Sequence, residues 1–179
     1  MEKMNMEKII VYGSQYGTTK RYAEKFSEIT HLPCISYEEV KTLSGYDLVI
    51  HFGGLYAGGV KGLKTTIKAL QENTKLIIVT VGLADVTDKE NVHNIRQSIS
   101  KQLPNRFMDN TTIFHLRGGI DYQRLNFKHK TMMTLLYNKA KKLPEEKKNA
   151  EVRAMIETFN SKVDFVDYNA LAQIVEAIQ

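Results

Sequence analysis

Gly13-Ser14-Gln15-Tyr16-Gly17-Thr18-Thr19 lies between an apolar run at residues 8–12 and an amphipathic segment that begins near Thr19. A strand that leads through small and hydroxyl residues into a helix favours phosphate binding, because backbone N–H groups converge there and the positive end of the helix dipole lies behind them. The loop has no lysine and no Gly-x-x-x-x-Gly-Lys-Ser/Thr sequence, which excludes a nucleoside triphosphatase loop. The spacing of Gly13 and Gly17 excludes a Gly-x-Gly-x-x-Gly dinucleotide fingerprint. We therefore expect a terminal phosphate, held without a dedicated cation, as in a mononucleotide.

Strand and helix signals alternate along the chain, which is typical of a parallel sheet with helices on its faces. Apolar runs predict five strands, at residues 8–12, 33–37, 47–52, 75–81 and 111–116. Apolar side chains at spacings of three and four predict helices over about 18–29, around 63–70, around 95–103 and after residue 167. The pattern predicts an α/β fold of three layers, with a five-stranded parallel sheet of strand order 2-1-3-4-5.

Glycine-bearing loops follow four of the predicted strands, at residues 13–19, 53–59, 82–86 and 118–122. Sheets of this kind bind ligands beyond the carboxyl ends of their strands, near the switch in strand order. Each loop alone has an ordinary explanation, because glycine commonly ends a strand. Four such loops at one edge of the sheet indicate a binding site.

The composition is that of a globular protein of one domain, residues 1–179, with 42% hydrophobic and 25% charged residues. No apolar run approaches the roughly 20 residues that cross a bilayer, the N-terminus lacks a secretion signal, and Cys34 is the single cysteine. We therefore expect a cytoplasmic protein. The net charge of +5 favours acidic partners, an anionic membrane surface or nucleic acid, although an ordinary solvated surface explains it equally well.

The sequence offers no catalytic group of its own. Ser14 has no local base, the histidines have no metal-ligand spacing, and His51 and His115 fall in predicted strands, where a core position is the simpler interpretation. We expect no metal site and no catalytic side chain, so any chemistry would belong to a cofactor. Basic residues without interleaved aromatic residues argue against nucleic-acid binding.

Residues 124–148 form a basic segment that the predicted fold does not require. A helix from about residue 126 to residue 142 would carry an apolar patch bordered by lysines, a composition typical of helices at membrane interfaces. A helix packed on its own domain with a solvated lysine face accounts for the same pattern. The segment belongs to a basic helical insertion after the fifth strand, at approximately residues 120–162.

The first loop resembles the phosphate loop of the flavodoxins, with Ser14, Gly17 and Thr19 in register and Tyr16 in place of the usual hydroxyl residue. This resemblance implies a flavodoxin-like fold and FMN as the cofactor. It also implies that the loops after the third and fourth strands hold the flavin ring, with Tyr56 against it, and that the backbone near Gly58 tunes the flavin potential. The expected cofactor-binding residues are Ser14, Gln15, Tyr16, Gly17, Thr18, Thr19, Gly54, Leu55, Tyr56, Ala57, Gly58, Gly82, Leu83, Ala84, Asp85, Gly118 and Gly119.

A closer resemblance, over nearly the whole chain, is to the flavodoxin-domain group that contains the menaquinone-dependent protoporphyrinogen oxidases. It is carried by residues 14–19, 46–50, 55–56, 117–122 and 163–168, and by the basic insertion. It implies an oxidoreductase or an electron carrier that passes electrons through FMN to a redox partner protein or a quinone-type acceptor. It also implies peripheral membrane contact through residues 124–148. A flavodoxin-like binding or regulatory module without flavin is the alternative.

Overall fold

The computed structural model describes residues 6–56 and 58–179. In this part of the chain the strands are β1 (Lys8–Gly13), β2 (Cys34–Ser36), β3 (Leu48–Tyr56), β4 (Gly59–Val60), β5 (Lys75–Gly82), β6 (Thr111–Arg117), β7 (Gly119–Asp121) and β8 (Lys162–Asp164). The helices are α1 (Thr18–Thr30), α2 (Leu63–Ala69), α3 (Lys89–Ser100), α4 (Asn105–Met108), α5 (Phe127–Lys141), α6 (Ala150–Glu157) and α7 (Ala172–Ala177).

The central sheet has the order β2-β1-β3-β5-β6, and all of these neighbours are parallel. The predicted order is confirmed, since β4 only pairs antiparallel with the end of β3 and lies off this path. Continuous apolar runs in β1, β3 and β5 form the centre of the sheet, as expected for strands that are covered on both faces. The carboxyl ends of these strands meet at one edge.

Alternate side chains of the strands supply two hydrophobic layers. On one face Val11, Val49 and Ile78 pack with apolar side chains of α2 and α3. On the other face Ile10, Ile50 and Phe52 pack with Tyr22 and Phe26 of α1, with Ile174 of α7 and with Leu171, which directly precedes α7. Because α1 lies on the sheet directly after β1, its N-terminus lies at the carboxyl edge.

Strand β3 is longer than the sequence predicts. An end at Phe52 was expected because two glycines follow, but the strand continues to Tyr56. Gly53 pairs with Gly13 of β1, and both Gly53 and Gly54 are in register with β5, so sheet pairing outweighs the low strand preference of glycine. The strand then turns back into β4, which places the side chain of Tyr56 beyond the edge of the sheet.

His51 occupies the core position that its strand predicts. It is fully buried, its Nε2 donates to the Lys61 carbonyl oxygen at 2.9 Å, and its Nδ1 accepts from Thr66 Oγ1 at 2.9 Å. Burial lowers the pKa of His51 to about 4. His115, by contrast, lies on the edge strand β6 and is only partly buried.

Residues 122–161, called the insertion below, leave and return to the domain through one short antiparallel ladder. In this ladder Gly119 pairs with Asp164 and Asp121 pairs with Lys162. The insertion contains α5 and α6, and Met133 of α5 packs with Ile120 and Tyr122 in a third hydrophobic cluster. No helix in the described ranges combines the length and apolar character that crossing a membrane requires.

Candidate functional site

A cavity of about 400 Å³ lies at the carboxyl edge of the sheet, where the loops after β1, β3, β5 and β6 converge. Helices α5 and α6 of the insertion form its opposite wall, through residues that include Met133, Leu136, Val152 and Met155. The volume falls in the usual range for sites that bind small molecules and cofactors, roughly 300–1,000 Å³. The carboxyl edge of the sheet, where the sequence predicts ligand binding, and the insertion therefore line the same cavity.

Most of the residues predicted to bind a cofactor line this cavity. They are Gln15, Tyr16, Thr18, Thr19, Gly54, Leu55, Tyr56, Gly58, Gly82, Leu83, Gly118 and Gly119. Ser14, Gly17, Ala84 and Asp85 are not among the lining residues, and Ala57 falls outside the described residues. Asp85 accepts from the backbone N–H and the hydroxyl of Thr87 within its own turn.

Residues 13–19, called the phosphate-type loop below, lead into α1, but no side chain of the loop caps the helix. Ser14 Oγ accepts from the Gly17 backbone N–H at 3.1 Å, which closes the turn. Gly17 has a φ of 92°, in the left-handed region that favours glycine, and no side chain caps the helix that follows. The first N–H groups of a helix lack partners inside the helix, so this end offers donors and a positive dipole to an anion.

A cation does reach this loop, contrary to the sequence prediction. Lys61, which follows β4, donates from Nζ to Gln15 Oε1. Gln15 Nε2 donates in turn to His129 Nε2 of α5 at 2.8 Å. Gln15 therefore joins the loop to both the β3–β4 hairpin and the insertion. Sequence reasoning missed Lys61 and His129 because both lie far from the loop along the chain.

Two tyrosines connect the glycine loops to the insertion. The Tyr16 hydroxyl donates to Met133 Sδ at 3.3 Å, and the Tyr56 hydroxyl donates to Met132 Sδ. Burial raises the pKa of Tyr16 to about 12, so this side chain is a neutral, largely apolar wall. The ring of His129 meets Tyr16 edge-on, with centroids 5.8 Å apart. Tyr16, which replaces the hydroxyl residue usual in the flavodoxin loop, thus contacts α5.

Glu151 of α6 is a further site residue that sequence reasoning did not identify. Its carboxylate accepts from the backbone N–H groups of Leu83 at 2.8 Å and Ala84 at 3.2 Å. A Cβ at position 82 would come within 2.9 Å of the same carboxylate, so Gly82 is needed for this approach. Burial raises the pKa of Glu151, while the two backbone donors and the Arg117 charge act in the opposite direction.

The cavity as a whole suits a flat, mostly apolar ligand with one anionic end. The anion-binding features lie at the start of α1, and the tyrosines and the methionine, leucine and valine side chains supply apolar walls. Glycines 54, 82 and 118 allow close approach of backbone at three points, since a Cβ at each would lie within 3.1 Å of a neighbouring side-chain atom.

Comparison with known proteins gives one family match and several structural similarities at low sequence identity. The sequence model described as Flavodoxin domain matches residues 9–147. The Trp repressor binding protein from Bacillus subtilis is 16% identical, with 62% of this chain and 83% of that chain covered and a TM-score of 0.43. A flavoprotein from Lactobacillus acidophilus in complex with FMN is 15% identical (63% and 93% covered, TM-score 0.40). Oxidised flavodoxin 1 from Bacillus cereus is 11% identical (62% and 84% covered, TM-score 0.39).

No curated protein sequence matches the chain. The family match nevertheless spans most of the sequence, from β1 into the insertion, and it includes the phosphate-type loop and the glycine loops that line the cavity. The chain belongs to the flavodoxin-domain family.

Proposed function

We propose that this protein binds FMN in the cavity and transfers electrons through it. The observation that carries the proposal is the uncapped N-terminus of α1, where Thr18 and Thr19 line a cavity with mostly apolar walls. A phosphate monoester matches such a helix end, and a planar aromatic ring matches the apolar walls. The residues present therefore fit the group that flavodoxin-domain proteins are expected to hold.

The phosphate would be held by backbone N–H groups at the start of α1, with Lys61 as the neighbouring cation. Thr18 Oγ1 donates to the Gly119 carbonyl oxygen at 3.0 Å, so this hydroxyl secures the loop to β7. Thr19 is buried, and its Oγ1 would lie 3.1 Å from a Cβ at position 54. Gly54 therefore allows the end of β3 to pack closely against the start of α1.

The ring would lie between the loops after β3 and β5 and the wall that α5 and α6 supply. Tyr16, Leu55, Tyr56 and Leu83 provide the apolar surface, and the insertion shields this space from water. When bound, FMN would accept and release one or two electrons, a chemistry that no side chain of this chain provides. The protein's own part is to bind, orient and shield the cofactor.

Titration of flavin-free protein with FMN and with riboflavin tests this proposal directly. We expect FMN to bind with quenched fluorescence, and riboflavin to bind more weakly because it lacks the phosphate. A protein that takes up neither flavin would contradict the proposal and would favour the alternative, a flavodoxin-like binding or regulatory module.

We propose further that the outer face of α5 contacts an anionic membrane surface. Phe127 is 86% exposed and Leu135 is 66% exposed, although both are large apolar side chains. Exposed lysines at positions 128, 130 and 141 lie on the same helix. Apolar side chains among lysines match the apolar boundary and the negative charge of an anionic lipid surface. Vesicle pelleting at low and high salt tests this contact.

As a finer form of the proposed function, we propose an enzyme of the protoporphyrinogen oxidase type with a quinone-type acceptor. A flavin site whose outer wall is a membrane-facing helix would lie close to a lipid-soluble acceptor. The test is oxidation of protoporphyrinogen by FMN-loaded protein, with and without a menaquinone analogue. No acceleration above the protein-free rate would favour an electron carrier that acts on a redox partner protein.

A further inference from the structure

Glu151 brings a carboxylate to a turn that parallel-sheet proteins usually leave open to a ligand. Its two oxygens accept from two successive N–H groups, those of Leu83 and Ala84, at the carboxyl end of β5. Each carboxylate oxygen has a further lone pair after accepting one such bond. Because Glu151 also lines the cavity, it remains able to accept from a ligand there.

Glu151 differs from the other polar side chains that line the cavity beyond the phosphate-type loop, namely Tyr56, Lys139 and Asn149. Lysine has no acceptor, and the Tyr56 hydroxyl already donates to Met132. The Asn149 side-chain oxygen accepts from the Val152 backbone N–H at 2.9 Å as the cap of α6. The strongest acceptor left toward the cavity is therefore the Glu151 carboxylate.

The cationic side chain whose charge lowers the pKa of Glu151, Arg117, forms no salt bridge with it. Arg117 of β6 donates from Nε to the Leu83 carbonyl oxygen at 2.9 Å, and its guanidinium lies 3.7 Å from the centroid of the Phe165 ring. Its charge stabilises the carboxylate through space while its hydrogen bonds go elsewhere. Glu151 is thus oriented by two backbone donors, and each of its oxygens keeps acceptor capacity toward the cavity.

We propose that Glu151 accepts a hydrogen bond from the imide N–H at the polar edge of the bound flavin ring, and so selects ligands that carry this donor. The inference rests on the proposed FMN function. If the phosphate is held at α1, the polar edge of the flavin ring still needs a partner elsewhere in the cavity, which Glu151 lines. A carboxylate on the insertion supplies that partner, which makes α6 part of the ligand site and not only a cover.

The experiment compares FMN with 3-methyl-FMN, whose imide nitrogen has no hydrogen. Dissociation constants are measured by fluorescence quenching for the wild type, Glu151→Gln and Glu151→Ala. Glu157→Gln is the matched control, because Glu157 lies on the same helix and is exposed.

A hydrogen bond to a charged group corresponds to roughly 10- to 100-fold in affinity, so we expect the wild type and the control to prefer FMN by about that factor.

The preference for FMN should fall to a few-fold in Glu151→Gln, which keeps the size but not the charge, and disappear in Glu151→Ala. Equal affinity of the wild type for the two flavins would overturn the inference even if both variants fail to fold. An unchanged preference in Glu151→Gln would also overturn it, since cavity shape alone would then explain the selection. Wild-type protein that binds neither flavin would overturn the proposed function and this inference together.

Discussion

The backbone of Lys61 lies directly against Gly13, so closely that any side chain at position 13 would collide with the Lys61 carbonyl group. The same carbonyl oxygen accepts from the buried His51 ring, which fixes the segment after β4 over the end of β1. The two contacts place the Lys61 side chain beside Gln15 of the phosphate-type loop. Gly13 therefore allows the close backbone contact that places the positively charged Lys61 side chain at the site.

Replacing Lys61 by Gln should weaken FMN binding by about 3- to 10-fold and leave riboflavin binding nearly unchanged, because only FMN carries the phosphate charge. Lys64→Gln is the control, since Lys64 is exposed on the adjacent helix α2. The ratio of the two dissociation constants at low salt is the measurement. Equal losses for both flavins would mean that Lys61 acts on the fold of the site and not on the phosphate.

Gly17→Ala should affect both stability and binding. Its φ of 92° disfavours a side chain by about 1 kcal/mol, although a Cβ there would meet no atom within 4 Å. Gly45→Ala is a close control, because Gly45 has a φ of 91° and equally open space. Urea denaturation should show similar losses of stability for the two variants, whereas only Gly17→Ala should lower FMN affinity. Identical affinities for both variants would argue against phosphate binding at this turn.

Gly58→Val should shift the one-electron reduction potentials of bound FMN. Gly58 lines the cavity with a φ of 79°, a conformation that a β-branched residue rarely adopts, so the turn beside the ring must change. A strain of about 1 kcal/mol that differs between redox states corresponds to about 40 mV. Spectroelectrochemical titration measures both potentials. If neither moves, the backbone at Gly58 does not tune the flavin.

Acid should destabilise the fold through His51. Its pKa is about 4 in the folded protein, and that of an unfolded histidine is about 6.5. Between these values the unfolded chain binds more protons, so stability falls as pH falls, by about 2 kcal/mol from about pH 7.5 to about pH 5. The pKa of His115 is lowered in the same direction, so His115→Gln should remove a separate part of this dependence.

Urea denaturation at both pH values measures the effect. His51→Gln should lower stability at neutral pH, because the hydrogen bonds to Lys61 and Thr66 change, and should flatten the pH dependence. A variant with the full wild-type slope would show that other groups cause the acid sensitivity.

Replacing Phe127 and Leu135 together by Ser should reduce binding to anionic vesicles by at least about tenfold, since each large apolar side chain contributes roughly 1.5–3 kcal/mol when buried. Stability should change by less than about 0.5 kcal/mol, because both side chains are exposed. Ile29→Ser, on α1, is the control at a position that is 45% exposed. Undiminished pelleting of the double variant would place the membrane contact elsewhere.

The sequence predicts the layers and strand order well because long apolar runs such as residues 75–81 and 47–52 leave few alternatives. Short elements are different. Strands β4, β7 and β8 have two or three residues, too few for any periodicity, and they form only because β3 and each other offer partners. The extension of β3 through Gly53 and Gly54 likewise depends on neighbouring strands.

The residues of the candidate site also fall into a group that the sequence predicts and a group that it does not. The glycine loops can be predicted because each follows directly from a recognisable strand, and the topology brings strand ends together. Lys61, His129 and Glu151 carry no local signal, because their positions depend on a hairpin and on two helices far away in sequence. Their roles follow from contacts across the cavity, such as the bond between Gln15 and His129.

The ladder between β7 and β8 has an engineering consequence. Asp121 and Lys162 are paired across it, so the chain leaves the domain and returns at neighbouring positions. Everything between them can be excised and replaced by a tight two-residue turn without cutting a strand of the central sheet. The shortened chain would show how much of cofactor binding depends on the core and how much on the wall that α5 and α6 supply.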